Sequence, residues 1–142
     1  MKILLPLDDS EPSKTTLDWV IKTFKAQQPK LYVLTVVEET TPEIPTMSYQ
    51  VEDALKLLEQ TTATLTQAGL PPEKAEYVVG DPVQSICQYA EEAGVDQIII
   101  GSHGRTGWIK LLLGSVSSGV FECAKVPVFV FKNVKTKQTV TA

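Results

Sequence analysis

Short apolar runs alternate along this chain with segments in which apolar residues recur every three or four positions. The runs predict buried β-strands, at residues 3–7, 31–37, 75–79, 98–100 and 127–131. The segments between them predict amphipathic helices that begin near Glu11, Val51, Asp81 and Ser115. Alternating strands and helices favour a doubly wound α/β domain. We therefore predict a five-stranded parallel sheet in the order 3-2-1-4-5, with helices on both faces.

The helix ends carry recognisable start and stop residues. Pro12 lies near the first position of the first helix, and Asp9 and Ser10 before it are predicted caps. Asp81-Pro82 has the same form for the third helix, which Gly94 is expected to end. Four apolar stripes are predicted, one for each helix: Leu17, Val20, Ile21 and Phe24; Val51, Ala54, Leu55, Leu58, Thr62 and Leu65; Val83, Ile86, Cys87 and Ala90; and Val116, Val120, Phe121 and Ala124.

Composition limits the classes of function. The 142 residues are 43% hydrophobic and 21% charged, which suits one domain over residues 1–142 with a flexible tail at 133–142. A formal charge of −4 disfavours nucleic-acid binding, which relies on basic residues to neutralise phosphates. The apolar start of the chain stops at Asp8-Asp9, too early for a signal peptide, and no run is long enough to span a membrane. A cytoplasmic location is expected.

Two cysteines, Cys87 and Cys123, are too few for a structural zinc site. They are also too few for a disulfide-dependent scaffold, because a chain of this length builds a sizeable core. We predict that both are packed, reduced thiols.

The candidate chemistry lies after the fourth strand. In a doubly wound sheet, ligands bind beyond the carboxyl ends of the strands where the winding reverses, here between strands one and four. Strand four runs into the glycine-rich segment 101–107, and a helix start follows at 114–118. Glycines allow backbone N–H groups to approach a ligand, and a helix N-terminus favours anions. The alternative is a tight turn followed by an ordinary helix cap.

The glycine spacing carries a family resemblance. Gly101-x2-Gly104-x9-Gly114-Ser115 resembles the signature of the ATP-binding universal stress proteins. The resemblance also includes Thr35-Val36-Val37 and Val126-Pro127-Val128, and it extends over about residues 1–132.

The resemblance implies a role for each matching residue. Pro6 and Asp8 would lie beside the adenosine, with Asp8 toward the ribose or a metal, and Val36 would offer backbone contacts to the adenine edge. The ribose and phosphates would be enclosed by Gly101, Ser102, His103, Gly104, Arg105, Thr106 and Gly107. Gly114, Ser115, Val116 and Ser117 would bind the phosphate tail. The implied cofactor is ATP, with Mg or Mn held mainly by the phosphates.

Two of these residues have alternative roles. His103, the single histidine, suits loop packing or a phosphate hydrogen bond better than general-base catalysis. Arg105 is as well explained by solvation as by a phosphate contact.

The chain contains no Walker A loop, no G-x-G-x-x-G after strand one and no G-x-S-x-G. The sequence therefore favours an ATP-binding stress-response regulator without assigned catalytic residues; the alternative is a slow ATPase or autophosphorylating enzyme.

The last strand also predicts self-association. It would lie at a sheet edge and is apolar up to Lys132. An open apolar edge is an aggregation hazard that pairing with a second copy removes. The resemblance points the same way, and we predict a homodimer through Val126, Val128 and Val130.

Overall fold

Five parallel strands form one sheet in the order β3-β2-β1-β4-β5, which confirms the predicted topology. The computed structural model describes residues 1–38, 47–102 and 114–132. The strands are β1 (Lys2–Pro6), β2 (Lys30–Val37), β3 (Lys74–Val79), β4 (Gln97–Gly101) and β5 (Val128–Phe131). The helices are α1 (Glu11–Phe24), α2 (Met47–Gln67), α3 (Pro82–Ala93) and α4 (Ser115–Cys123). The predicted tail at 133–142 lies outside the described residues.

The side-chain alternation of the strands divides the core into two layers. Ile3 and Leu5 of β1 pack with residues of α1 and α2 on one face of the sheet. Leu4 of the same strand packs with residues of α3 and α4 on the other face. Because successive side chains of a strand point to opposite faces, a central strand buried on both sides must be apolar at almost every position. This explains why β1, β2 and β4 are apolar at almost every buried position.

Local signals place the start of α1 and both ends of α3 as predicted, whereas α2 begins at Met47, before the predicted start near Val51. Ser10 is the N-cap of α1, where its side chain accepts a hydrogen bond from the N–H of Ser13. Asp81 caps α3 in the same way, accepting from the N–H of Gln84 at 3.0 Å. Gly94 ends α3 in the left-handed conformation, with φ of 65°.

Two predicted helix faces need correction. On α2 the buried stripe consists of Ala54, Leu58, Thr61 and Leu65, whereas Leu55 is 51% exposed. On α4, Val120 is buried but Phe121 is 61% exposed. In each helix the predicted stripe included an apolar residue directly next to a buried one. Residues three or four apart share a helix face and adjacent residues do not, so the included neighbour points away from the core.

α3 and α4 approach each other closely on the second face of the sheet. A Cβ atom placed on Gly119 of α4 would lie 2.7 Å from Cγ2 of Val83 on α3. One turn further along both helices, Cys87 and Cys123 form a disulfide, with their Cα atoms 6.4 Å apart. The prediction of two reduced thiols is therefore wrong for this structure. Counting cysteines along the chain did not reveal that the packing of two helices would bring them together.

No helix among the described residues is both long and apolar enough to cross a membrane.

Candidate functional site

The carboxyl ends of β1 and β4 lie side by side at the centre of the sheet. β1 pairs with β2 on one side and with β4 on the other. The chain therefore winds outward in both directions from this pair, and the connecting helices cover opposite faces on the two sides. A cleft at the carboxyl ends is the expected result of that reversal. The predicted site residues Pro6, Gly101 and Ser102 lie at these strand ends.

Asp8 organises the turn from β1 into α1. Its carboxylate Oδ1 accepts hydrogen bonds from the N–H of Ser10 and from the hydroxyl of Ser13, each at 2.9 Å. Its own N–H donates to the Ser13 hydroxyl oxygen at 2.9 Å. Sequence reasoning assigned Asp8 to a ligand and missed Ser13. The sequence did contain a signal for Ser13: it is the third residue of the predicted helix, a position whose side chain often completes an N-terminal cap.

The backbone of Val36 points into the space beyond β1. Lys30 N–H donates to Met1 O, and Leu34 O accepts from Leu7 N–H, so even-numbered residues of β2 direct their backbone groups toward β1. Odd-numbered residues bond to the β3 side, as in the contacts from Glu73 to Leu31 and from Gly80 to Val37. The register of β1 with β2 ends at Pro6 and Leu34. The N–H and C=O of Val36 therefore face the space beyond the end of β1 rather than a paired strand.

Gly101 allows α1 to pack on the end of β4. A Cβ atom at this position would lie 3.1 Å from Oγ1 of Thr16, and that hydroxyl already donates to the carbonyl of Pro12 at 2.7 Å. Thr16 is fully buried, so the neighbour has little room to move. The glycine is thus explained by packing alone, whatever else it contacts.

Ser102 joins the end of β4 to the start of α4. Its carbonyl accepts hydrogen bonds from the N–H of Gly114 and from the hydroxyl of Ser117, the latter at 2.7 Å. The Ser117 hydroxyl also lies 3.1 Å from the carbonyl of Gly114, and Ser117 is only 2% exposed. Because this hydroxyl donates its hydrogen to backbone carbonyls, Ser117 would offer an anion its N–H rather than its side chain.

The first turn of α4 differs from those of α1 and α3. Gly114 occupies the N-cap position, and no side-chain capping hydrogen bond forms there. Like the first turn of α3, that of α4 contains no acidic residue. The N–H groups of a helix's first turn have no partner within the helix, and they carry partial positive charge. An uncapped helix start held against the end of β4 therefore presents donors suited to an anion.

The described part of the predicted site consists of Pro6, Asp8, Val36, Gly101, Ser102, Gly114, Ser115, Val116 and Ser117. The fold brings these residues from three strand ends and one helix start to the same edge of the sheet. His103, Gly104, Arg105, Thr106 and Gly107 lie outside the described residues. Within residues 1–38, 47–102 and 114–132, no group of three or more His, Cys, Asp or Glu side chains is arranged to hold a metal ion.

Comparison with known proteins identifies related chains. The Universal stress protein family model matches residues 1–132. Universal stress protein YxiE of Bacillus subtilis is 31% identical over 146 residues, covering 92% of this chain and 98% of that protein. Universal stress protein MJ0577 of Methanocaldococcus jannaschii is 33% identical over 155 residues, covering 92% and 94%. The solved structure of MJ0577 superposes with a TM-score of 0.81 over 95% of this chain and 97% of that one.

Two more distant structures contain adenine nucleotides. A family member from Arabidopsis thaliana with AMP bound has a TM-score of 0.73 at 21% identity, covering 94% of this chain and 92% of its own. The universal stress protein from Archaeoglobus fulgidus in complex with dAMP has a TM-score of 0.69 at 21% identity, covering 92% and 96%. At this identity the likeness establishes a shared fold.

Proposed function

The chain belongs to the universal stress protein family, and we propose that it binds ATP between β1 and β4 and acts as a stress-response regulator through its nucleotide-bound state. The observation that carries the proposal is the uncapped start of α4, tied by two hydrogen bonds to the end of β4 at the point where the winding reverses. Gly114 and Ser115 of that segment also complete the glycine signature of the family's ATP-binding branch.

The adenine end of the nucleotide would lie near β2. The outward N–H and C=O of Val36 supply a donor and an acceptor from one residue, which can pair with the acceptor and donor of an adenine edge. Pro6 and Asp8 border the same space from β1. Relatives with AMP and dAMP support an adenine nucleotide as the ligand class.

The phosphate end would lie at α4. The N–H groups of Ser115, Val116 and Ser117 belong to the first helical turn, where anions are favoured. The glycine-rich residues Gly101 to Gly107 would complete the enclosure. The described residues offer no carboxylate cluster, so Mg or Mn would be held mainly by the phosphates and water.

ATP titration by calorimetry tests the site. Replacing Gly114, which is buried beside Ser102, with valine places a branched side chain between the helix start and the phosphates. We expect ATP affinity to fall at least about tenfold, equivalent to about 1.4 kcal/mol. The matched control is Gln88→Val, which introduces the same residue on an exposed position of α3. Equal ATP affinity in Gly114→Val and the unmodified protein would exclude this site.

We further propose a homodimer in which β5 pairs with its own copy. The carbonyls of Pro127 and Phe131 accept hydrogen bonds from the N–H groups of Ile98 and Ser102, so the backbone groups of Val128 and Val130 point away from the sheet. The side chains of Val126, Val128 and Val130 pack partly against the core layer under α3 and α4. The pairing would therefore rely mainly on the outward backbone groups.

A proline at position 130 tests the dimer with little change to the β4 pairing. Val130→Pro removes one outward N–H, as an edge strand tolerates, whereas Val130→Thr keeps that N–H and alters only the side chain. We expect light scattering to give a monomer for the proline variant and a dimer for the threonine variant. At tens of micromolar, roughly the concentration at which weak dimers form, a monomeric unmodified protein would contradict the proposal.

A further inference from the structure

The two cysteines of the chain lie on matching positions of two packed helices. Val83 and Cys87 are four residues apart on α3, and Gly119 and Cys123 are four residues apart on α4. Val83 faces Gly119, and Cys87 is bonded to Cys123 one turn further along. The disulfide is thus part of a continuous contact between the helices, rather than a link between distant loops.

Small reagents can reach this bond. Cys123 is exposed and Cys87 is half-buried. Thiol–disulfide exchange requires access of an attacking thiolate to a sulfur atom, and an exposed disulfide meets that requirement. The exposed Cys123 is the sulfur that an external thiol or disulfide would meet first.

The disulfide acts on a helix that depends on its neighbours. α4 has nine residues, and isolated helices of this length are marginal in water. Its start is held by the contacts of Gly114 and Ser117 with Ser102, and its last residue is Cys123. The disulfide therefore fixes one end of the helix whose other end contains the uncapped N–H groups.

We propose that Cys87 and Cys123 form a reversible thiol–disulfide switch that controls how firmly α4 is held. Oxidation fixes α4 against α3; reduction lets α4 open locally more often. The effect on nucleotide affinity rests on the proposed function, because the first turn of α4 forms the phosphate end of that site. Oxidised protein then binds ATP more tightly than reduced protein.

The chemistry balances with a small disulfide, such as oxidised glutathione, as the oxidant. The Cys123 thiolate attacks one sulfur of glutathione disulfide, forming a mixed disulfide and releasing one glutathione thiolate. The Cys87 thiolate then attacks the sulfur of Cys123, forming the protein disulfide and releasing the second glutathione. The protein loses two electrons and two protons, and the oxidant takes them up as two glutathione molecules.

The switch itself is tested without nucleotide. Protein is equilibrated at graded ratios of reduced to oxidised glutathione, and its free thiols are then blocked with an alkylating agent. Mass spectrometry measures how many alkyl groups each molecule carries. We expect two alkyl groups at the reducing end, none at the oxidising end, and the same curve from both directions. Thiols that stay free in oxidised glutathione, or a bond that survives excess reductant, would overturn the proposal.

The consequence for α4 is tested by hydrogen exchange. We expect amides of residues 115–123 to exchange at least about fivefold more slowly in oxidised than in reduced protein, while the exchange of α1 amides is the same in both. The double variant Cys87→Ser/Cys123→Ser should match reduced protein in both buffers. Equal exchange of α4 in the two redox states would overturn the proposal.

Calorimetry with ATP separates this inference from the proposed function. A higher ATP affinity in the oxidised state, absent from the double serine variant, supports both. If α4 exchange responds to oxidation while neither state binds ATP, the switch stands and the nucleotide proposal fails. If both states bind ATP with the same affinity, the coupling between switch and site is refuted.

Discussion

Replacing Gly119 with alanine should destabilise the protein, although alanine is the better helix former. Gly119 lies inside α4, where alanine is favoured over glycine by about 1 kcal/mol. Against this, the new Cβ would lie 2.7 Å from Cγ2 and 3.0 Å from Cγ1 of Val83. Contacts below 3.0 Å force atoms to move, so the sign depends on whether Val83 can give way.

Val83 has little freedom to relieve the overlap. It is β-branched and lies in α3, where such side chains strongly prefer one χ1 rotamer. Overpacking of this kind costs about 1–3 kcal/mol, which exceeds the gain in helix propensity. We expect a net loss of about 1 kcal/mol, or a fall in melting temperature of about 3–5 °C for a chain of this length.

Urea denaturation of four proteins measures this balance: the unmodified chain, Gly119→Ala, Val83→Ala and the double variant. Once Val83 is truncated, the alanine at 119 should become neutral or stabilising, so the double-mutant cycle should give a coupling of about 1–2 kcal/mol. All four should be compared in the oxidised state, because the disulfide one turn away prevents the helices from separating. Gly119→Ala that stabilises the protein with Val83 present would refute the close approach of α3 and α4.

Three further predictions concern single side chains. Ser117→Ala removes the donor to the carbonyls of Ser102 and Gly114, and should lower the free energy of unfolding by about 1 kcal/mol in urea denaturation. Burial, followed by the hydrogen bond to Glu76, raises the pKa of Tyr89 above its usual 10.0; its contribution to stability is complete below pH 10 and is lost as pH rises toward the folded-state value. Above pH 10, the melting temperature of Tyr89→Phe should therefore fall less steeply with pH than that of the unmodified protein. ATP turnover in a phosphate-release assay with Mg or Mn should lie well below the roughly 1–10³ per second of typical enzymes, since the Asp8 carboxylate already accepts hydrogen bonds from Ser10 and Ser13; turnover near one per second that Asp8→Ala abolishes while ATP affinity survives would contradict this.

The strand order was predictable because burial on both faces leaves a clear pattern. Each strand of a covered parallel sheet must be apolar, and the helices between strands are long enough to be crossovers. The order and the place of the cleft follow from topology rules that depend on neither packing detail nor side-chain contacts. The same reasoning placed Ser10, Asp81 and Gly94 at helix ends, where local hydrogen bonding decides the conformation.

Helix faces were less predictable where apolar residues surround the helix. In α2, Ala54 and Leu55 are adjacent, and the sequence does not show which of them faces the sheet. The structure buries Ala54 and exposes Leu55, and it also buries Thr61, which the predicted stripe did not include. The orientation of α2 is set by the packing of the whole helix against β2 and β3, so the residue type at one position does not show which face is buried.

The aromatic residues of β5 illustrate the same limit at a sheet edge. Phe129 and Phe131 were predicted only as part of an apolar strand. In the structure the ring of Phe129 stacks on Trp19 of α1, with centroids 4.9 Å apart and an interplanar angle of 7°, and Phe131 lies 5.4 Å from the same ring. α1 thus covers part of the strand's face, even though Phe129 remains 44% exposed. What remains for a partner is chiefly the outward backbone of the strand, which follows from hydrogen-bond direction and not from hydrophobicity.

The disulfide was missed because its cause is the registration of α3 against α4. Thirty-six residues separate the two cysteines, and neither composition nor spacing along the chain brings them together. A glycine within α4 permits the approach at Val83, and the equal four-residue step on both helices then places Cys123 beside Cys87. The helix that this contact positions is also the one whose start is hydrogen-bonded to Ser102 at the end of β4. The geometry of the candidate site therefore depends on packing at Gly119 and Val83, which are distant in sequence from the strand ends on which the prediction of that site rests.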